Sequence, residues 1–323
     1  MGGEEKQCIH CGACTRNCDF LSKYQMDIGN TQKLHELAYH CFLCGKCGDV
    51  CPVGIDGKEV FLRTRRQQVT ANGGKIAEDG YDMLIKEKQN YIFRNYKNVT
   101  SGSVLFPGCN FPSFYPKTTK VLAALLKKEA GIGTVYDCCG KPVAELGLEG
   151  QENRIIEQMN ERFRKAGVKE VITLCPNCYY FLKGKLEVQV TGIYEVLDRL
   201  GLGKSIEVKD MHLFTPCPDK ESRLWQRQME RFLPENVQVI DDIQCCGLGG
   251  CARGKEPEIS KGFTDRLKAK KYTNLYTYCG SCAGKFARDG IENVHHVLTD
   301  ILEIYESPDT VKSMVNRAMS RFW

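Results

Sequence analysis

The chain has 323 residues, 42% of them hydrophobic and 26% charged, with a net charge of +5. At about 150 residues per domain that content builds two or three cored domains, which excludes a disordered chain and a small disulfide-stapled scaffold. The polar start Met1–Gln7 lacks the apolar core of a secretion signal, and runs such as Val121–Leu126 fall short of the roughly 20 apolar residues that cross a bilayer. The basic runs Arg63–Arg66 and Lys268–Lys271 are not interleaved with aromatics as a nucleic-acid groove would be, so they read as solvated helix faces or docking surfaces. The chain is thus expected to be cytoplasmic, to bind no nucleic acid and to have no membrane segment of its own, and its 19 cysteines should stay reduced and available for metal.

In chain order, Cys8, Cys11, Cys14 and Cys18 come first, spaced C-x2-C-x2-C-x3-C, and Cys41, Cys44, Cys47 and Cys51 repeat that spacing before Pro52. This is the two-cluster ferredoxin signature, in which three close cysteines hold one [4Fe-4S] cubane and the fourth reaches to the other. Cys18 should therefore join Cys41, Cys44 and Cys47, and Cys51 should join Cys8, Cys11 and Cys14. A pair of zinc sites would use separated C-x2-C pairs and fits less well. Asp19 stands where the first run would have proline. Gly12, Gly45 and Gly48 leave room for backbone amides near the ligands. Lys23–His40 and Glu59–Gln68 read as helices and strand alternation is absent, so an all-helical module is expected over 1–68, followed by a helical connector over 69–102 broken near Gly73 and Gly74.

From Ser103 short apolar strands alternate with helices, and each strand runs into cysteine. Val104–Phe106 leads to Cys109, Thr134–Tyr136 to Cys138 and Cys139, and Val171–Leu174 to Cys175 and Cys178, with helices over Lys117–Lys128 and Glu152–Ala166 between them. Met211–Thr215 then leads to Cys217, Val237–Ile240 to Cys245 and Cys246, and Leu275–Tyr278 to Cys279 and Cys282. The offset of 104 between Cys175 and Cys279 also relates Val190, Ile193 and Leu197 to Val294, Val297 and Ile301. An internal duplication is implied, with two α/β domains (103–205 and 206–323) on parallel sheets and their five-cysteine sets turned toward a shared cleft. Five thiolates exceed what one cubane needs, which leaves an unusual cluster, zinc or reactive dithiols open.

The pattern C…CCG…C-x2-C, present twice, resembles the cysteine-rich domains of the heterodisulfide reductase catalytic subunit, and with the ferredoxin module in front the chain resembles the small and catalytic subunits fused. The resemblance implies two further [4Fe-4S] clusters of noncubane type and a disulfide split between them by single electrons. It also implies a flavoprotein electron-transfer partner of the heterodisulfide-reductase type, with a hydrogenase or formate dehydrogenase as possible suppliers. Iron-sulfur subunits of glycolate- and lactate-oxidising complexes share the same parts, and there the chain would be an electron-transfer subunit of an FAD-linked dehydrogenase. Gly140 continues into Lys141-Pro142, whereas Gly247 continues into Leu248, Gly249 and Gly250. The four glycines Gly140, Gly247, Gly249 and Gly250 are candidates for close approach to a cofactor, and the freer second motif makes Cys217, Cys245, Cys246, Cys279 and Cys282 the preferred reactive set. Cys251 reads as a buried small side chain. His212, His295 and His296 fall near strand ends and read as structural more readily than as proton donors.

Overall fold

The computed structural model describes residues 7–323, so the first six residues of the expected front domain lie outside the described part. The described front module runs through α1 (Ala13–Asn17), α2 (Asp19–Lys23), α3 (Thr31–Glu36), α4 (Lys46–Asp49) and α5 (Gly57–Ala71), with α6 (Asp82–Lys88) beyond it. α1 and α4 each begin after a glycine with left-handed backbone, Gly12 at φ 70° and Gly45 at φ 86°, a conformation that any side chain would strain. The continuous helix expected over Lys23–His40 does not form. α2 ends at Lys23, the chain turns through Gln25 at φ 48°, and the Asn30 side chain caps α3 by accepting the Lys33 N–H. The turn carries Gly29 onto Cys8, where an added Cβ would lie 2.7 Å from the Cys8 Cβ. Tertiary contact at the cysteines overrides the local helical preference.

The first α/β unit contains β1 (Asn95–Asn98), β2 (Gly102–Phe106), α7 (Phe111–Phe114), α8 (Pro116–Ala130), β3 (Gly133–Tyr136), α9 (Lys141–Glu145), α10 (Glu149–Ala166), β4 (Val168–Thr173), α11 (Pro176–Leu182), β5 (Gln189–Gly192) and α12 (Ile193–Arg199). The second contains β6 (His212–Phe214), α13 (Leu224–Gln228), β7 (Gln238–Ile240), α14 (Pro257–Ala269), β8 (Leu275–Thr277), α15 (Gly280–Arg288), β9 (Val294–His296) and α16 (Val297–Ile301), and α17 (Ser313–Met319) closes the chain. The sheets run β1-β3-β2-β4-β5 and β7-β6-β8-β9, so β3-β2-β4-β5 and β7-β6-β8-β9 are the same parallel sheet built twice. Val104, Leu105 and Phe106 on β2 and Leu213 and Phe214 on β6 are fully buried, as strands covered on both faces require. One apolar core continues from β2 through α16 and spans both units.

Two sequence expectations are corrected here. The connector is not helical to its end, because β1 adds an antiparallel edge to β3, pairing Asn95 with Tyr136 and Asn98 with Thr134, and so covers backbone groups that β3 would otherwise leave open. The tail of the expected second domain returns to the first unit. There Asn316 donates to the Ser113 carbonyl, Arg317 donates to the Ser113 hydroxyl and the Asn110 side-chain oxygen, and Asn95 donates to the Trp323 carbonyl.

Arg65 on α5 locks the three parts together. Its side chain is fully buried, and it donates to the carbonyls of Ala38 and Cys41 in the front module, of Glu145 in the first unit and of Gly250 in the second, at 2.6–2.9 Å. The reading of Arg63–Arg66 as a solvated face therefore fails at Arg65. Four carbonyls turned inward at one point need a planar, multi-donor cation, and a guanidinium has that shape.

Candidate metal centres

Every cysteine picked out by spacing lies at a turn or helix start. Cys8, Cys11, Cys14 and Cys51 line one small pocket with Asp27, Ile28 and Pro52. Cys18 lies with the second run: Gln244 Nε2 is 3.4 Å from both Cys18 Sγ and Cys44 Sγ, and Cys41, Cys44 and Cys18 all act electrostatically on Cys47. The two front groups are thus Cys8/11/14/51 and Cys18/41/44/47. Burial pushes the Cys18 thiol up to about 11 and raises Cys41 and Cys47 as well. Gly57 starts α5 against Cys47, where a Cβ would lie 2.3 Å from Sγ.

Behind them Cys109, Cys138, Cys139, Cys175 and Cys178 lie together at the carboxyl ends of β2, β3 and β4. Cys217, Cys245, Cys246, Cys279 and Cys282 hold the matching places after β6, β7 and β8. Sulfur-to-sulfur interactions link all ten, with Cys217 Sγ 3.8 Å from Cys245 Sγ at one end. The string runs from Cys109 through Cys138 and Cys139 to Cys178 and Cys175, crosses to Cys279 and Cys282, and continues through Cys246 and Cys245 to Cys217. Cys245 also meets Cys44 of the front module. The crossing at Cys175 and Cys279 joins residues that correspond in the duplication, so the string has a pseudo-twofold centre. Two contacts from the first unit to the second flank it. Asn110 donates to Ser281 from the first unit, and Asn177 donates to Cys279.

The donor set fits iron-sulfur clusters. As free thiols these groups share protons along the string: Cys245 holds Cys44 down at about 6, and Cys138 and Cys178 hold Cys139 at about 5. Cys245 is raised by its neighbours Cys217, Cys246 and Cys44, and Cys282 by Cys246 and Cys279. So many buried thiols cannot all ionise without added positive charge, and cluster iron supplies it while accepting soft sulfur ligands. Cys8, His10 and Asp27 also converge closely enough to hold a metal ion, but Cys8 belongs to the first front group.

A cavity of about 710 Å³ opens between the front module and the two units. Cys109, Cys139, Cys175, Cys178, Cys217, Cys246 and Cys282 all line it. Lys141 lies there as well. Against the cost of burial, Glu145 and the sulfurs of Cys139 and Cys217 keep its ammonium charged.

Of the four candidate glycines, Gly249 lines the cavity and Gly250 lies behind it. A Cβ on either would meet front-module backbone, 2.2 Å from the Phe42 or the Cys41 carbonyl oxygen. Gly140 and Gly247 are left-handed, at φ 86° and 85°, and pack on Ile155 and Ser260. Cys251 lies apart from the string near the Pro142 carbonyl, in the apolar seam between the front module and the two units. His212 stacks on Tyr272 and His295 on Tyr276. Burial lowers His296 to about 4, and its Nδ1 accepts the Leu298 N–H; none of the three lines the cavity. Sequence reasoning missed Gln244, Arg65 and Lys141. The first stands immediately before the Cys245-Cys246 pair, which is the one signal that could have marked it.

The 4Fe-4S dicluster domain family matches residues 4–55, and the CCG cysteine-rich domain family matches residues 103–183 and 212–287. The chain is 23% identical to a subunit of the dihydromethanophenazine:CoB-CoM heterodisulfide reductase of Methanosarcina mazei, covering 82% of this chain and 76% of that one. It is 25% identical to a subunit of the fumarate reductase (CoM/CoB) of Methanothermobacter marburgensis, covering 85% and 66%. It is 36% identical to the EtfAB:quinone oxidoreductase of Syntrophomonas wolfei, covering 80% of this chain and 44% of that protein. An uncharacterized iron-sulfur protein of Methanococcus maripaludis is matched over 56% of its length, so the chain spans about half to two thirds of several of these relatives. A hypothetical protein from Helicobacter pylori shares the fold, with a TM-score of 0.54 over 88% of this chain and 65% of that one at 7% identity. No helix among the described residues is long and apolar enough to cross a membrane.

Proposed function

We propose that this chain, an iron-sulfur protein that joins a ferredoxin-type 4Fe-4S domain to two CCG cysteine-rich domains and is related to heterodisulfide reductase, works as a reductase subunit. It carries single electrons from the front groups to the rear cavity, where a disulfide or related acceptor is reduced. The observation that carries this reading is the sulfur string. It leaves the front module at Cys44, enters the second unit at Cys245 and ends at Cys109, and it borders the cavity along its way. Cys8, Cys11, Cys14 and Cys51 would hold one cubane, and Cys18, Cys41, Cys44 and Cys47 the other. Each rear set of five would hold a further [4Fe-4S] cluster of noncubane form. Bound clusters supply one-electron steps.

Reduction of a disulfide consumes two electrons and two protons and releases two thiols. Lys141 places positive charge between the two rear sets, where a thiolate would form, and the backbone around Gly249 closes that side of the cavity against the front module. With no nucleotide-binding motif in the chain, the electrons would come from a flavoprotein partner.

A second reading is favoured by the likeness to the EtfAB:quinone oxidoreductase. In it the same groups relay electrons between a flavoprotein and another acceptor, with no bond broken in the cavity. Anaerobic purification with iron and sulfide counting and EPR tests the shared part: about 16 iron atoms per chain are expected from four clusters. Near eight iron with stoichiometric zinc would sink it. Turnover of a disulfide by the viologen-reduced protein separates the readings, because a relay reduces none.

A further inference from the structure

Gln244 lies at the junction between the front module and the second unit, and its side chain is 7% exposed. Its amide faces two ways. Nε2 lies 3.4 Å from both Cys18 Sγ and Cys44 Sγ, and Oε1 accepts the Asp19 backbone N–H at 3.1 Å. That backbone donor fixes the orientation of the amide, because only an oxygen can accept it, and the NH2 is left pointing at the two sulfurs. The segment that carries it is held as well: Lys220 Nζ donates to the Ile243 carbonyl at 3.1 Å and to the Gln244 carbonyl at 2.9 Å. The next residue is Cys245, whose thiol meets Cys44. Among the described residues, no side-chain amide contact of this kind is made to Cys8, Cys11, Cys14 or Cys51. Around Cys8 the donor is instead a backbone group, the His10 N–H at 3.4 Å from Sγ, and the side chain nearby is the Asp27 carboxylate, with Oδ1 4.0 Å from Cys8 Sγ.

We propose that Gln244 is a positioning residue of the second unit that sets the reduction potential of the Cys18/41/44/47 cluster, making it easier to reduce than it would be without the amide and so favouring arrival of the electron beside Cys245. Hydrogen bonds to cluster sulfur stabilise the more negative, reduced state, and a buried amide aimed at two ligands contributes most where water is excluded. The proposal rests on the reading that the front cysteines hold two cubanes.

The test uses the full chain, loaded anaerobically, in parent, Gln244→Leu and Gln244→Glu forms. Iron content and the EPR signals of the parent come first; a parent without two reducible front cubanes defeats the underlying reading and not the role of Gln244. Given both cubanes, a potentiometric titration followed by EPR is expected to show one potential falling in Gln244→Leu and falling further in Gln244→Glu, with the other unmoved. Gln244→Glu keeps the acceptor for Asp19 and replaces the donor with negative charge, so it provides the reading if the leucine variant loses iron. Unchanged potentials, an equal shift of both cubanes, or loss of the same cluster from both variants would each overturn the proposal.

Discussion

The two CCG units share a sheet order and a cysteine pattern, and they differ in what surrounds them. Around the second, the front module supplies the neighbours. Phe42 packs edge-on against Phe263, and Glu256 of the second unit accepts from Lys23, Tyr24 and His40. Cys245 meets Cys44 directly. Around the first, the neighbours come from the connector and the tail: Lys88 and Arg317 act on the charge of Cys109, and Arg317 also bonds Asn110 and Glu87. Duplication copied the cage, and later elements of the chain gave each copy a different address. In the proposed function the second unit is where electrons arrive and the first lies downstream, although the sequence favoured the second as the reactive one from its glycines alone.

The largest expected effect tests that order. Cys245→Ala and Cys138→Ala should each remove about four iron atoms, and only the first should also stop reduction of the opposite unit by the front module. Freeze-quench EPR reads this, and symmetrical effects would abolish the distinction. The loss in turnover should exceed the 10–100-fold usual for residues that merely support a ligand.

Arg65→Leu comes next, because it strands four buried carbonyls shared among the front module and both units. A loss of about 3–5 kcal/mol is expected, seen as a lower anaerobic thermal midpoint, whereas Arg65→Lys should recover only part of it. Loosening of one unit alone, by hydrogen exchange, would contradict the bridging role.

Glu256 sharpens the contrast from the side of the second unit. Burial opposes its ionisation, but the donors Lys23, Tyr24 and His40 outweigh this and hold its carboxyl below the usual range. A depressed folded-state value means that the stabilisation is fully present above the unfolded carboxylate value of about 4.3 and is lost as pH falls through the folded one. The thermal midpoint of Glu256→Gln should thus lie below the parent near neutral pH, by the equivalent of about 1–3 kcal/mol, and the gap should begin to close only below about pH 4.3 and go on closing as pH falls through the lower folded-state value. A gap independent of pH would assign the contact no charge.

The smallest effect belongs to Cys251. It sits off the sulfur string in left-handed backbone at φ 55°. Cys251→Ser should change iron content not at all and stability by about 1 kcal/mol or less. A loss of iron would make it a ligand and force the second set to be redrawn.

What the sequence made legible was whatever it encodes locally. The cysteine runs carry their own spacing, and β2, β3, β4, β6, β7 and β8 announce themselves because each short apolar stretch ends in the ligand it positions. Gly12 and Gly45 likewise mark the turns they permit. The break after Lys23 was not legible, since its cause is the approach of Gly29 to Cys8, nor was β1, since its partner is 36 or more residues away in the chain. Arg65 looked like one more surface charge because its acceptors are backbone carbonyls from residues 38, 41, 145 and 250, and backbone carbonyls leave no trace in side-chain identity. Gln244 was passed over because a lone glutamine has no pattern of its own.

The guanidinium of Arg65 also governs how separable the parts are. A ferredoxin cut away after α5 would keep the Ala38 and Cys41 carbonyls but lose those of Glu145 and Gly250, and its arginine would face water across an apolar scar formed by Tyr39, Phe42 and Val69. The front piece is therefore no plug-in cartridge that diffuses between customers. Once residue 250 has been made and docked, the front and rear cysteine groups are delivered as one object in a fixed one-to-one ratio.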